Sequence, residues 1–144
     1  MIDETDIKIL EELSKNSRIT MKQLGEKVCL TGQAVAVRVA KLEDTGVIEK
    51  YTVKINYEKT GKRVHALIEI LLTKLANHFK YINFVNSQKD YVIHNYKISG
   101  SGCYTMECIF PSNTELNEFL LKLNEYANYK LTLIIDDTLK QDCK

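Results

Sequence analysis

Apolar residues recur with two different periods along this chain of 144 residues. Up to Gly46 they recur every three to four positions, which predicts three short amphipathic helices. Their apolar stripes are Ile7, Ile9, Leu10 and Leu13; Met21, Leu24 and Val28; and Val35, Val39 and Leu42. A capping residue precedes each helix, and these are Asp3, Thr20 (with Gln23 completing a capping box) and Thr31. Gly46 is suited to end the third helix.

After Gly46 the period changes to two. Tyr51, Val53, Ile55 and Tyr57 alternate with polar residues, which predicts a half-buried strand over 51–57. From residue 64 onward the pattern predicts strands at 64–72, 91–99, 103–110 and 130–136. A helix at about 77–87 separates the first two strands, and its apolar residues are Phe79, Ile82 and Val85. A second helix, after a capping box at Ser112–Glu115, separates the last two and carries Leu116, Phe119, Leu120 and Leu123.

The second half therefore has the βαββαβ order of a ferredoxin-like domain. Two short helices joined by a tight turn and followed by a β element are typical of a winged helix-turn-helix. We predict an α+β protein in three parts. An N-terminal winged helix-turn-helix domain occupies residues 1–50, a linker strand and hinge occupy 51–62, and a ferredoxin-like βαββαβ domain occupies 63–144.

Charge is distributed unevenly, although the net charge is only +1. Residues 15–62 carry ten basic side chains against five acidic ones, which favours an anionic partner for the first half. No apolar run approaches the roughly 20 residues of a membrane span, and the start resembles no secretory signal, so we expect a cytoplasmic protein without a membrane partner. The cysteines Cys29, Cys103, Cys108 and Cys143 form no C-x-x-C pair, and we predict neither a metal nor a cofactor.

The third helix is the predicted recognition helix, whose N-terminal residues would meet base edges in the major groove of DNA. Gln33 is suited to adenine, and small residues allow contact with a thymine methyl. Thr31, beside the helix amides, is suited to a phosphate, as are two basic side chains further along. The candidate DNA-binding residues are Thr31, Gln33, Ala34, Ala36, Val37, Arg38 and Lys41.

Three of these candidates also have an ordinary structural interpretation. Thr31 caps a helix whatever else it contacts. Arg38 has acidic neighbours in Glu43 and Asp44 with which it can pair, and Lys41 can be a solvated surface lysine.

The first half resembles the Lrp/AsnC family of bacterial and archaeal transcription regulators. The matching pieces are D-x-x-D-x-K-I-L at 3–10, S-R-I-T at 17–20, V-A-V-R-V-A-K-L-E-D-T-G-V-I at 35–48 and Y-T at 51–52. The resemblance implies binding to double-stranded DNA, a homodimer that assembles to an octamer, and a second domain that oligomerises and often binds amino acids. Cys29 stands where family members usually have glycine, and Thr31-Gly32 where Ser-Pro is common.

The stretch "ISGSGCYT" at 98–105 resembles a phosphate-binding loop, but a predicted strand follows it rather than a helix. The family resemblance instead implies a turn that contributes to an effector pocket. The candidate effector-binding residues are Ser99, Gly100, Ser101, Gly102 and Cys103. Gly102 and Cys103 stand where amino-acid-sensing relatives have an aromatic residue and aspartate, so the acidic group that could hold an amino group is missing. A close-packed turn at an oligomer contact is the alternative.

The sequence favours a DNA-binding regulator over an enzyme, because it contains no nucleophile–base spacing and no paired carboxylate motif. Two further interpretations remain open. One is an effector-independent regulator of the same family that wraps DNA; the other is a ligand sensor that has lost DNA binding.

Overall fold

The computed structural model describes residues 1–139, so Cys143 lies outside the described residues. The chain divides into two compact units, and the division falls between Ile55 and Asn56. The first unit contains three helices: α1 (Glu4–Lys15), α2 (Met21–Val28) and α3 (Gly32–Asp44). No helix within residues 1–139 is both long enough and apolar enough to cross a lipid bilayer.

Local capping chemistry determines where these helices begin. Asp3 and Asp6 form a reciprocal capping box at α1, and Thr20 and Gln23 form the predicted one at α2. The Thr31 hydroxyl accepts a hydrogen bond of 3.1 Å from the Ala34 amide at the start of α3. Each cap satisfies backbone amides that have no partner within the helix.

The core of the first unit confirms the predicted stripes of all three helices, with one exception. Its buried residues are Ile9, Leu13, Ile19, Leu24, Val35, Val39 and Leu42. Ile7, included in the α1 stripe, is half exposed. One turn of helix later than Asp3, it lies on the flank of α1, whereas Ile9 and Leu13 face α2 and α3.

The predicted strand at 51–57 is wrong. Residues 51–56 form no regular element, and a short 3-10 helix follows at Tyr57–Thr60. Val53 is 75% exposed, and Tyr51 and Ile55 are also exposed. A strand needs a neighbour with which to form a hydrogen-bonded ladder, and no strand within residues 1–139 pairs with this segment.

The second unit confirms the βαββαβ order. Its elements are β1 (Val64–Leu71), α4 (Leu75–Ser87), β2 (Val92–Lys97), β3 (Tyr104–Phe110), α5 (Asn113–Leu123) and β4 (Asn128–Leu133). The sheet order is β2-β3-β1-β4, and every neighbouring pair is antiparallel. At the centre of the sheet Ile68 lies opposite Met106 on one side and Leu131 on the other.

The two helices of this unit cover one face of the sheet. Ala66, Ile68 and Ile70 of β1 lie in a core that also includes Phe119 and Leu123 of α5. The predicted apolar face of α4 is partly wrong.

Phe79 of α4 is 75% exposed rather than buried. Tyr81 and Phe84 enter the core instead, together with the predicted Val85. The buried face therefore follows Tyr81, Phe84 and Val85, which have the helical spacing i, i+3 and i+4. The Tyr81 hydroxyl donates a 2.6 Å hydrogen bond to Asn95 Oδ1, which satisfies the polar end of a fully buried ring.

Candidate nucleic-acid interface and the 99–103 turn

Helices α2 and α3 meet at two glycines. A Cβ added to Gly25 would lie 2.5 Å from the carbonyl oxygen of Leu30, and one added to Gly32 would lie 3.2 Å from the Cα of Lys22. Backbone therefore packs on backbone here, and α3 is held close against α2. The sequence contains a signal for this contact, since a glycine inside a helix, such as Gly25, usually has a packing reason.

The turn between these helices passes through Cys29. Its φ of 58° and ψ of 42° lie in the left-handed region, which no other non-glycine residue of the described chain occupies. This confirms the expectation that Cys29 replaces a turn glycine. The conformation costs a side chain with a Cβ roughly 1 kcal/mol.

The side chains on the outer face of α3 are polar or small, except for that of Val37. Gln33, Val37 and Lys41 are exposed on the side opposite the buried Val35, Val39 and Leu42. Ala34 and Ala36 lie half-buried on its flanks. We call the exposed set the recognition face, and it also includes Ala40 and Asp44, which the sequence reasoning missed.

Val37 is the informative member of this face, because its side chain is 68% exposed to water. A helix that only packs on its own domain usually has polar residues there. The periodicity of the apolar residues would also have predicted Ala40 and Asp44, since positions 33, 37, 40 and 44 follow helical spacing.

Arg38, one of the predicted phosphate ligands, forms ion pairs within its own domain. Its Nη1 lies 2.7 Å from Asp3 Oδ2 and 2.8 Å from Asp6 Oδ1, so it links α3 to the N-terminus of α1. Its partners are therefore neither Glu43 nor Asp44. The hydrogen bonds from Arg38 hold the pKa of Asp3 below its usual range, and the Asp3 backbone amide and then Arg38 do the same for Asp6.

Glu43 binds Tyr51 and not Arg38. It accepts a 2.6 Å hydrogen bond from the Tyr51 hydroxyl, and this bond raises the pKa of Tyr51 to about 12. The contact fastens the start of the 51–55 segment to α3. Residues 52–55 make up the rest of the segment, and all of them are exposed.

The five candidate effector residues form one turn between β2 and β3, the 99–103 turn. The Ile98 amide donates to the Cys103 carbonyl (3.0 Å), and the Cys103 amide donates to the Ile70 carbonyl on β1 (2.7 Å). Gly100 has a φ of +120°, which favours glycine. Gly102 is buried against the side chain of Glu69.

These features define a class of protein, in which a helix-turn-helix DNA-binding domain is joined to a ferredoxin-like domain. Residues 2–49 match the family model described as "Winged helix-turn-helix DNA-binding". The HTH-type transcriptional regulator LrpA of Bacillus subtilis is 53% identical over 135 residues, which are 94% of this chain and 98% of LrpA.

Solved structures agree with this relationship. The structure of Bacillus subtilis LrpC superposes with a TM-score of 0.90 at 28% identity, covering 98% of this chain and 99% of that one. The Neisseria meningitidis regulator NMB0573, solved as a complex with L-methionine, shares the fold with a TM-score of 0.88 at 23% identity, covering 98% of this chain and 94% of its own. The chain belongs to the Lrp/AsnC family. It is a DNA-binding transcriptional regulator and not an enzyme.

Proposed function

We propose that the chain binds specific double-stranded DNA sites through the recognition face of α3, acts as a homodimer or larger oligomer, and responds to an amino acid. The observation that carries the DNA proposal is the exposure of Val37 between Gln33 and Lys41. These side chains project from a helix whose opposite face is fully packed.

Each residue has a defined role in this proposal. Gln33 reads an adenine through its amide, and Val37 contacts a thymine methyl. Thr31 and the first amides of α3 approach a phosphate, and Lys41 neutralises another. Ala34 and Ala36 have small side chains, which allow the flanks of α3 to approach the DNA closely. Arg38 positions α3 through Asp3 and Asp6 instead of contacting DNA.

The test begins with in-vitro selection of the bound sequences, followed by affinity measurements on variants. Gln33→Ala should relax the sequence preference at one position, costing about 1–3 kcal/mol on the preferred site. Lys41→Ala should weaken binding to all sequences about equally and reduce the salt dependence. Lys8→Ala, an exposed lysine of α1, is the control for charge removal. If Gln33→Ala keeps the wild-type preference, α3 does not read the bases as proposed.

The dimer proposal is supported by the exposed side chains of the 51–55 segment. Tyr51, Val53 and Ile55 are exposed and alternate in the sequence as in a strand, and no strand within residues 1–139 pairs with this segment. A second copy can complete the ladder, which gives a two-fold contact. The resemblance to this family also implies an octamer. Two recognition helices then read two half-sites about one helical turn apart.

The effector proposal is supported by the 99–103 turn and by the methionine complex of the Neisseria meningitidis protein. The turn provides backbone amides and lies beside an acidic side chain. A thermal-shift screen of the full chain with the twenty amino acids tests this proposal, because a ligand that binds only the folded state raises the melting temperature.

A DNA-wrapping regulator without an effector is the second candidate. It is favoured by Gly102 and Cys103, which replace the aromatic residue and the aspartate expected in an amino-acid-sensing turn. Absence of any response in the thermal-shift screen, together with intact DNA binding, would establish this candidate over the effector-responsive one.

A further inference from the structure

The first turn of α3 rests directly on the backbone of α2. A Cβ added to Gly32 would lie 3.2 Å from the Cα and from the amide nitrogen of Lys22, and 3.4 Å from the carbonyl carbon of Met21. These distances are shorter than the roughly 3.5 Å at which non-bonded carbon atoms begin to pack best. All three atoms belong to the backbone, so any side chain at position 32 would move the start of α3 away from α2 by a few tenths of an ångström.

This contact lies at the end of α3 that carries the proposed base reader. Gly32 stands between the capping residue Thr31 and Gln33, whose side chain is exposed on the recognition face. Further along the helix, Arg38 anchors the middle of α3 to the N-terminus of α1 by two ion pairs. A displacement that begins at position 32 is therefore largest at Gln33 and is opposed from Arg38 onward.

Base reading is more sensitive to such a displacement than phosphate binding is. A glutamine amide reads adenine through two hydrogen bonds at once, and both weaken when a donor–acceptor distance leaves its narrow range. A lysine ammonium on its flexible stem acts as a point charge and can follow a phosphate over a larger distance. Moving the start of α3 should therefore cost sequence preference before it costs overall affinity, since the proposed phosphate ligand Lys41 lies beyond the Arg38 anchor.

We infer that Gly32 is a positioning residue for DNA recognition. Because it lacks a Cβ, the first turn of α3 can lie against α2, and this contact sets the position from which Gln33 meets a base edge. The inference rests on the proposed reading of DNA by α3 and adds a residue that acts through Gln33 without touching a base. The same recognition face on a helix displaced at its start would select that base less strongly.

The experiment measures binding of the full chain to the duplex obtained by in-vitro selection and to duplexes changed at single base pairs. The variants are Gly32→Ala, which adds one methyl group, and Gly32→Pro, which adds the same Cβ in a residue suited to the first position of a helix. Within residues 1–139 the Gly32 amide donates no hydrogen bond, so proline removes none. Each variant is combined with Gln33→Ala and, as the matched control, with Lys41→Ala. Urea unfolding without DNA verifies folding.

Gly32→Ala should reduce the preference at the base pair that Gln33 reads by roughly fivefold or more, the lower end of what one bidentate base contact provides. The salt dependence of binding should stay as in the wild type. With Gln33 already replaced by alanine, Gly32→Ala should cause no further loss of preference, because both changes act on one contact, whereas its effect should add to that of Lys41→Ala. A merely structural role would instead weaken binding to all duplexes alike.

The remaining outcomes separate this inference from the proposed function. If Gln33→Ala relaxes the preference and neither Gly32 variant does, the role of Gly32 is rejected and base reading by α3 stands. Additive losses of preference in the Gln33→Ala background would also reject it, as would loss of folding by both Gly32 variants. If Gln33→Ala keeps the wild-type preference, the proposed base reading fails and the role of Gly32 fails with it.

Discussion

At the scale of single residues, Gly25 shows how packing can reverse an intrinsic preference. Glycine inside a helix is usually less favourable than alanine by 0.5–1 kcal/mol. In α2, however, a Cβ at this position would lie 2.5 Å from the Leu30 carbonyl oxygen and 3.1 Å from the Gly32 nitrogen. Both contacts are with backbone, which cannot move aside as a flexible side chain can.

Gly25→Ala should therefore destabilise the protein, by about 1–2 kcal/mol once the helix-propensity gain is subtracted from the overpacking term. The measurement is urea unfolding of the full chain followed by circular dichroism. Glu26→Ala, at the exposed next position of α2, is the control and should change stability little. A Gly25→Ala variant as stable as the wild type would show that α2 and α3 separate easily.

Cys29 provides the opposite case, in which glycine is the better residue. Its left-handed backbone strains any side chain with a Cβ, so Cys29→Gly should raise the unfolding free energy by about 1 kcal/mol. Cys29→Ala removes the thiol but keeps the Cβ and should give no such gain. Equal stabilisation by both substitutions, measured in the same urea unfolding experiment, would attribute the effect to the thiol instead of the backbone.

At the scale of elements, Arg38 fixes how α3 is held on α1. Its ion pairs with Asp3 and Asp6 also complete the cap at which α1 begins, because both carboxylates accept helix-terminal amides. Orientation of the recognition face therefore depends on a contact made on the other side of the helix. If α3 reads DNA as proposed, a substitution at Arg38 should impair DNA binding by displacing the helix.

The pH dependence of stability should report this contact. Asp3 and Asp6 have lowered pKa values, so they stabilise the fold above the ordinary aspartate value of 3.8, and that stabilisation is lost as the pH falls through the lowered values. Arg38→Gln should flatten this acid-dependent loss. Glu12, whose pKa the bonds from Lys15 and then Lys27 lower to about 2, should remain as a residual dependence. Parallel stability curves for wild type and variant between neutral and acid pH would contradict the assignment.

Helices were predicted well because their signals are local. The caps at Asp3, Thr20 and Thr31 lie within three residues of the groups that they bond, and helical periods are visible within a dozen positions. The partners of Arg38 are 32 and 35 residues away, and the Ser101 hydroxyl donates a hydrogen bond to Glu69, which is 32 residues away. No periodicity connects such positions, so the sequence predicted neither contact.

At the scale of the whole molecule, the order of elements in the second unit was predictable because apolar alternation marks each of its strands. The segment at 51–55 was mispredicted for the complementary reason. Its alternation is present, but a strand also needs a neighbouring strand for its hydrogen bonds, and the sheet of the described residues does not include this segment.

Val53→Pro should reduce dimer formation, because proline removes a backbone donor from the proposed ladder between two copies. Sedimentation-velocity ultracentrifugation measures the outcome as a shift toward the monomer. Val53→Ala is the control, because it removes the valine side chain but keeps the backbone donor. Proline at Lys59 is not used as a control, since it would break the 3-10 helix. Full retention of the dimer by Val53→Pro would place the dimer contact elsewhere.

The exposed apolar face of residues 51–55 has a consequence for how the protein responds to its own abundance. If two copies bury that face together, folding and association share one equilibrium, and mass action applies to both. The melting temperature of the wild type should then rise with protein concentration, and that of Val53→Pro should not. Dilution would act on this regulator as a destabilising mutation does, with no change in its sequence.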